Sequence, residues 1–126
     1  MKVLFVNGSS HIHGTTMKAL EEMIKIFEEE KIETEVIQLG GKPLADCTQC
    51  NSCQKTGQCV FKEDGVNEFV AKARESDGFV FATPVYFAHP SGRIFSFLDR
   101  AFYSNGKDEV YEAFQFKPSA AVAVAR

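Results

Sequence analysis

Four cysteines, Cys47, Cys50, Cys53 and Cys59, fall within 13 residues in the spacing C-x2-C-x2-C-x5-C. Short spacers let one loop wrap several thiolates around a centre, and the first three positions match the compact run of bacterial-type 4Fe–4S ligands. Zinc fits less well, because zinc sites usually separate two ligand pairs by a longer spacer. A disulfide framework would close only very short loops, which stabilises little. The other reading is that a small buried cysteine packs as an apolar side chain.

A second set of reactive types is Ser9, Ser10, His11, His13, Gly14, Thr15 and Thr16, between an apolar run and an amphipathic stretch. Unpaired backbone N–H groups and the positive end of the dipole at a helix start favour an anion. The hydroxyls of Ser9, Thr15 and Thr16 add donors, Gly14 allows close backbone approach, and His11 or His13 can donate to phosphate. No Gly-Lys-Ser/Thr ends the loop and no G-x-G-x-x-G runs through it, which excludes a triphosphate P-loop and leaves a dinucleotide fingerprint unsupported. The loop then suits a terminal monophosphate, as in FMN, or is a plain strand–helix turn with a Ser/Thr cap.

The third set is Thr83-Pro84-Val85-Tyr86-Phe87-Ala88-His89-Pro90-Ser91. Tyr86 and Phe87 can stack on a flat isoalloxazine ring while backbone N–H groups after Pro84 meet its polar edge. Alternatively the two aromatics cover the core beneath the loop. His89 reads as an exposed loop residue, and Arg93, Asp99 and Arg100 as surface pairs on a helix. No triad or paired carboxylates stand out, so no side-chain acid or base is expected to be essential.

These loops need elements to carry them. Lys2–Asn7 is a short apolar run that reads as a strand covered on both faces. Met17, Leu20, Met23, Ile24 and Phe27 recur at helical spacing, with glutamates on the remaining surface. Glu33–Leu39 reads as a second strand, Val66 to Ala73 as a helix, Phe79–Ala82 as a third strand closed by Pro84, and Ile94 to Phe102 as another helix. Ser104 to Lys117 reads as a polar connection and Ala120–Ala125 as a fourth buried strand. Strands alternating with helices predict an α/β fold with a parallel sheet, whose ligands bind at the carboxyl ends of the strands. All three loops leave such ends.

The 126 residues are 44% hydrophobic and 25% charged, with a net charge of −3. That profile suits one soluble domain and gives no electrostatic reason to expect nucleic acid or anionic membrane as a partner. No apolar run reaches the roughly 18 residues of a membrane span, and no signal-peptide pattern opens the chain, so a cytoplasmic location is expected.

With the loops in place the chain resembles the flavodoxin-like NADPH-dependent FMN reductases, and within them the iron–sulfur flavoproteins and their cluster-free relatives. The resemblance is carried by Asn7-Gly8-Ser9 with Gly14-Thr15-Thr16, by Cys47 to Asp64, and by Thr83-Pro84-Val85-Tyr86-Phe87 followed by Phe97-Leu98-Asp99-Arg100. It implies a doubly wound parallel sheet of order 2-1-3-4-5 with FMN at the strand ends. Ser9, His11, Gly14, Thr15 and Thr16 would hold the phosphate, and Pro84, Val85, Tyr86 and Phe87 would line the ring. His11 stands where relatives often have arginine. Cys47, Cys50, Cys53 and Cys59 would ligate a 4Fe–4S cluster, or persist without one. The function implied is an oxidoreductase that takes electrons from NAD(P)H through FMN to a small-molecule or protein acceptor. The alternative is a non-enzymatic electron carrier, and a homodimer or homotetramer is implied in either case. The chain reads as one flavodoxin-like domain, residues 1–126, with a cysteine insert at 44–61. Because no element follows the fourth strand, a C-terminal truncation before a fifth strand and closing helix is also expected.

Overall fold

The structure is a computed structural model and describes residues 1–106 and 111–125. Its elements are β1 (Lys2–Asn7), α1 (Thr15–Glu29), β2 (Glu33–Gln38), α2 (Ser52–Thr56), α3 (Val66–Arg74), β3 (Gly78–Pro84), α4 (Gly92–Ser104) and β4 (Ser119–Val124). The four strands form one all-parallel sheet in the order β2-β1-β3-β4. The α/β class and the first four positions of the expected order are therefore observed.

β1 lies between β2 and β3, and Val3 to Val6 are buried because helices cover both faces. On one face Val3, Phe5, Val80 and Ala82 meet Leu20 of α1, with Met17, Met23, Ile24 and Phe27 around it. Phe27 sets its ring edge-on to Phe5, centroids 5.4 Å apart. On the other face Leu4, Val6 and Phe79 meet Val66, Phe69, Val70 and Ala73 of α3 and Ile94, Phe97 and Ala101 of α4. The period of two along the strands thus feeds two separate apolar layers.

Three sequence expectations need correction. The cysteine segment contains a short helix, α2, that no apolar periodicity announced. The connection after α4 is not simply polar: Ala113 is fully buried and Phe114 stacks on Phe69 at 5.9 Å. Residues 107–110 of that connection lie outside the described residues. β4 is not a buried strand, for only Val122 and Val124 are even half-buried and the rest is exposed. Among the described residues it pairs with β3 alone, and its apolar composition did not report two covered faces. Arg126, where the fourth strand was expected to run out, also lies outside the described residues. Among the described residues no helix is long and apolar enough to cross a membrane.

Candidate functional site

The start of α1 and the carboxyl ends of β3 and β4 converge on one open cleft of about 660 Å³, lined by Thr15, Pro84, Val85, Tyr86, Val124 and Ala125. That volume lies within the range of about 300–1,000 Å³ usual for small-ligand sites. Thr15 opens α1 directly after the β1 loop, whereas Pro84 ends β3 and Val85 and Tyr86 follow it. The two segments singled out separately in the sequence are therefore brought together.

The first loop is built on Asn7. This residue is fully buried at the end of an otherwise apolar strand, and its Oδ1 accepts the Ser9 N–H at 3.0 Å. Ser9 is itself buried, and its Oγ accepts the His11 N–H at 3.1 Å. Gly14 then stands at the N-cap of α1 in extended conformation, with no side chain capping the helix. The Ser/Thr cap of the alternative reading, a plain strand–helix turn, is absent here. The first-turn N–H groups at Thr15 and Thr16 therefore face the loop without a side-chain acceptor, the arrangement that favours an anion.

Gly8 is the glycine this loop cannot exchange. Its N–H donates to the Ala82 carbonyl at 2.7 Å, and a Cβ there would lie 2.8 Å from the same oxygen and about 3.1 Å from Ile94. Gly8→Ala is therefore expected to destabilise the protein by about 1–3 kcal/mol through overpacking. A urea unfolding curve checks this, and an unshifted midpoint would contradict the close approach.

The second loop is tied to the first from beneath. Thr83 Oγ1 accepts the Ser91 N–H at 3.0 Å, and Ser91 Oγ donates to the Gly8 carbonyl at 3.2 Å. Both residues are buried, so the link is shielded from water. Above it Val85 pairs with Pro90, Val85 N–H donates to Val124 O at 2.9 Å, and Ala88 takes a left-handed φ of 57° at the tip. Tyr86 and Phe87 are 67% and 83% exposed. At that exposure they do not cover the core beneath the loop.

The remaining candidates divide. Ser9 and Thr16 are buried under the loop, whereas His11 and Gly14 line an adjacent hollow with Ser10, Ile12 and His13. His89 is exposed, as expected.

Cys47, Cys50, Cys53 and Cys59 line a different and much smaller cavity, about 20 Å³, with Asn51, Arg100 and Tyr103 among its walls. Cys47 and Cys50 are exposed, Cys53 is buried and Cys59 is half-buried. The Ser52 N–H and hydroxyl, with the Thr48 hydroxyl, push the Cys50 thiol below its ordinary range, while burial pushes the Cys53 thiol up. A volume of this size holds about one water, and among the described residues no three His, Cys, Asp or Glu side chains converge to hold a metal ion. The arrangement of the thiols gives a 4Fe–4S cluster no support.

Arg100 corrects the expectation of a surface pair. It is 1% exposed, ion-pairs with Asp64, and donates to Cys59 Sγ at 3.3 Å and to the carbonyls of Ala45 and Phe61 at 3.2 Å each. Burial works against its charge, but Asp64 and Cys59 more than offset this and hold its pKa above the ordinary value. Asp99 is exposed and Arg93 half-buried, and among the described residues neither forms an ion pair within 4.0 Å. Gln38 and Ser91 were also missed. Their only sequence signal is a polar residue at the end of an apolar strand or directly before a helix.

The model of the NADPH-dependent FMN reductase family matches residues 1–126. An iron–sulfur flavoprotein of Methanocaldococcus jannaschii is 38% identical over 101 residues, covering 80% of this chain and 52% of that protein. One of Archaeoglobus fulgidus is 31% identical over 122 residues, covering 97% of this chain and 60% of the other. The chain thus spans about half the length of the curated relatives it matches. Among solved structures, a flavone reductase superposes with a TM-score of 0.72 at 20% identity, covering 99% of this chain and 43% of that one. An NADH:FMN oxidoreductase superposes at 0.66 and 20% identity, covering 98% and 58%. At such identities the structural likeness speaks for the fold.

Proposed function

The chain belongs to the NADPH-dependent FMN reductase family, and from that premise we propose that it holds FMN in the cleft between the β1 and β3 loops and serves as an NAD(P)H-dependent oxidoreductase. The observation that carries this reading is the cleft itself, in which Thr15 at an uncapped helix start meets Pro84, Val85 and the exposed Tyr86. An anion-favouring helix end and an aromatic shelf side by side are what a phosphorylated, flat heteroaromatic ligand requires. The residues present fit the cofactor.

When bound, FMN supplies the hydride and electron chemistry. The α1 N-terminus and Thr15 hold the phosphate, while Pro84 and Val85 keep water from one side of the ring position. Tyr86 offers its face for stacking. Among the described residues no acidic or basic side chain lines the cleft. An iron–sulfur group, present in the names of the relatives, gains no support from the thiol arrangement.

Titration of the protein with FMN, followed by flavin fluorescence, tests the reading. Tyr86→Ala is expected to weaken FMN and riboflavin alike, by about threefold to tenfold, because ring stacking is common to both. Absence of FMN binding at micromolar concentration would refute the cofactor assignment. NADPH oxidation in the presence of a quinone separates an enzyme from an electron carrier, for which it would be negligible.

A further inference from the structure

A closed ring of hydrogen bonds lies under the phosphate loop. Ser9 N–H donates to Asn7 Oδ1 at 3.0 Å, Asn7 Nδ2 donates to Gln38 Oε1 at 2.6 Å, and Gln38 Nε2 donates to the Ser9 carbonyl at 2.7 Å. The register of β1 on β2 sets Asn7 directly against Gln38. Asn7 falls in step with Val3 and Phe5, and Gln38 with Val36, so both belong to the face of the sheet that α1 covers. Asn7 is fully buried, and an amide buried there without partners would be strongly unfavourable.

We infer that Asn7 and Gln38 are positioning residues that hold the phosphate loop in its anion-binding shape before ligand arrives, and so set a preference for a phosphorylated flavin over an unphosphorylated one. The inference rests on the reading of the cleft as an FMN site. The ring engages both backbone groups of Ser9 and thereby fixes the peptide planes on either side of it. Ser9 Oγ in turn accepts the His11 N–H, which extends the constraint two residues further. Ser9 and His11 amides are thus engaged within the protein, while the N–H groups at the start of α1 have no side-chain cap and are left toward an anion. A loop ordered in advance spares the ligand the backbone ordering it would otherwise impose on binding. The benefit falls on the phosphate alone, because the residues around the ring position belong to the other loop.

Gln38→Met keeps the length of the side chain but cannot close the ring, and Gln38→Glu keeps the acceptor toward Asn7 while losing the donor toward Ser9. Both variants are to be compared with the unaltered chain by FMN and riboflavin titration and by amide hydrogen exchange over residues 9–14 without flavin. FMN affinity is expected to fall about tenfold to thirtyfold while riboflavin affinity changes less than about twofold, and the loop amides should exchange faster in both variants. Equal losses for the two flavins, or no loss for either, would overturn the positioning role. If the unaltered chain binds neither flavin, the cofactor reading fails by itself. The exchange measurement then still decides the ring: faster exchange in the variants upholds it, and unchanged exchange overturns it.

Discussion

Replacing Arg100 with methionine is expected to destabilise the folded chain by about 3–5 kcal/mol, the range found when one partner of a buried pair is removed. The guanidinium is wholly enclosed, with none of its side chain exposed, while Asp64 keeps 21% exposure. Its nitrogens bind the Ala45 carbonyl near the start of the 44–61 cysteine segment, Cys59 and Phe61 toward its end, and Asp64 just after it. The Phe61 ring also lies 4.8 Å from the charge. Methionine fills the volume but leaves one carboxylate and two carbonyls without their donor. Arg100→Lys keeps the charge without the planar fork and is expected to fall between the two. Urea unfolding measures the loss, and proteolysis should show the 45–64 segment opening first. A loss below about 1 kcal/mol, the level of an exposed pair, would contradict the role described for Arg100.

Phe69→Ala is expected to cost about 3–5 kcal/mol as well, through lost burial and an unfilled cavity. Phe69 is fully buried on α3. Its ring centroid lies 6.2 Å from Phe79, 6.3 Å from Phe81, 4.9 Å from Phe97 and 5.9 Å from Phe114. One side chain thus joins α3, β3, α4 and the turn before β4. Phe69→Leu, which restores most of the volume, is expected to lose less than about 1.5 kcal/mol. Thermal unfolding of the pair separates the two, and equal losses would mean that the cavity is not the source.

The sheet and its two layers were legible because β1 is a continuous apolar run, and α1, α3 and α4 each carry an apolar period, that match their final burial. The loops were legible because chemistry-bearing residues stood directly after apolar runs. Arg100 was not, since its charge argued for the surface and only the fold brings Asp64 to it, 36 residues away in sequence. Gln38 was hidden for the same reason: its role needs the β1–β2 register, which no local pattern specifies. The C-x2-C-x2-C-x5-C spacing showed that the thiols could be neighbours, and the structure does gather them around one cavity. Spacing does not fix where each sulfur points, and there the ligand reading found no support. For β4, composition suggested burial, but Ser119 to Ala121 and Ala123 are exposed.

The interior place of β1 also governs how the molecule is made. β1 is synthesised before β3, yet one of its edges waits for that strand, which ends at Pro84. At about 5–20 residues per second, Val3 to Val6 leave the ribosome seconds before that edge can be covered. Over this interval the nascent chain offers an open apolar strand to chaperones and to other nascent chains. The phosphate loop closes later still, because its tie through Ser91 spans 83 residues. Parallel pairing at such separation is slow for reasons of loop entropy, so β1, though made before its partners, is among the last elements to reach its final place.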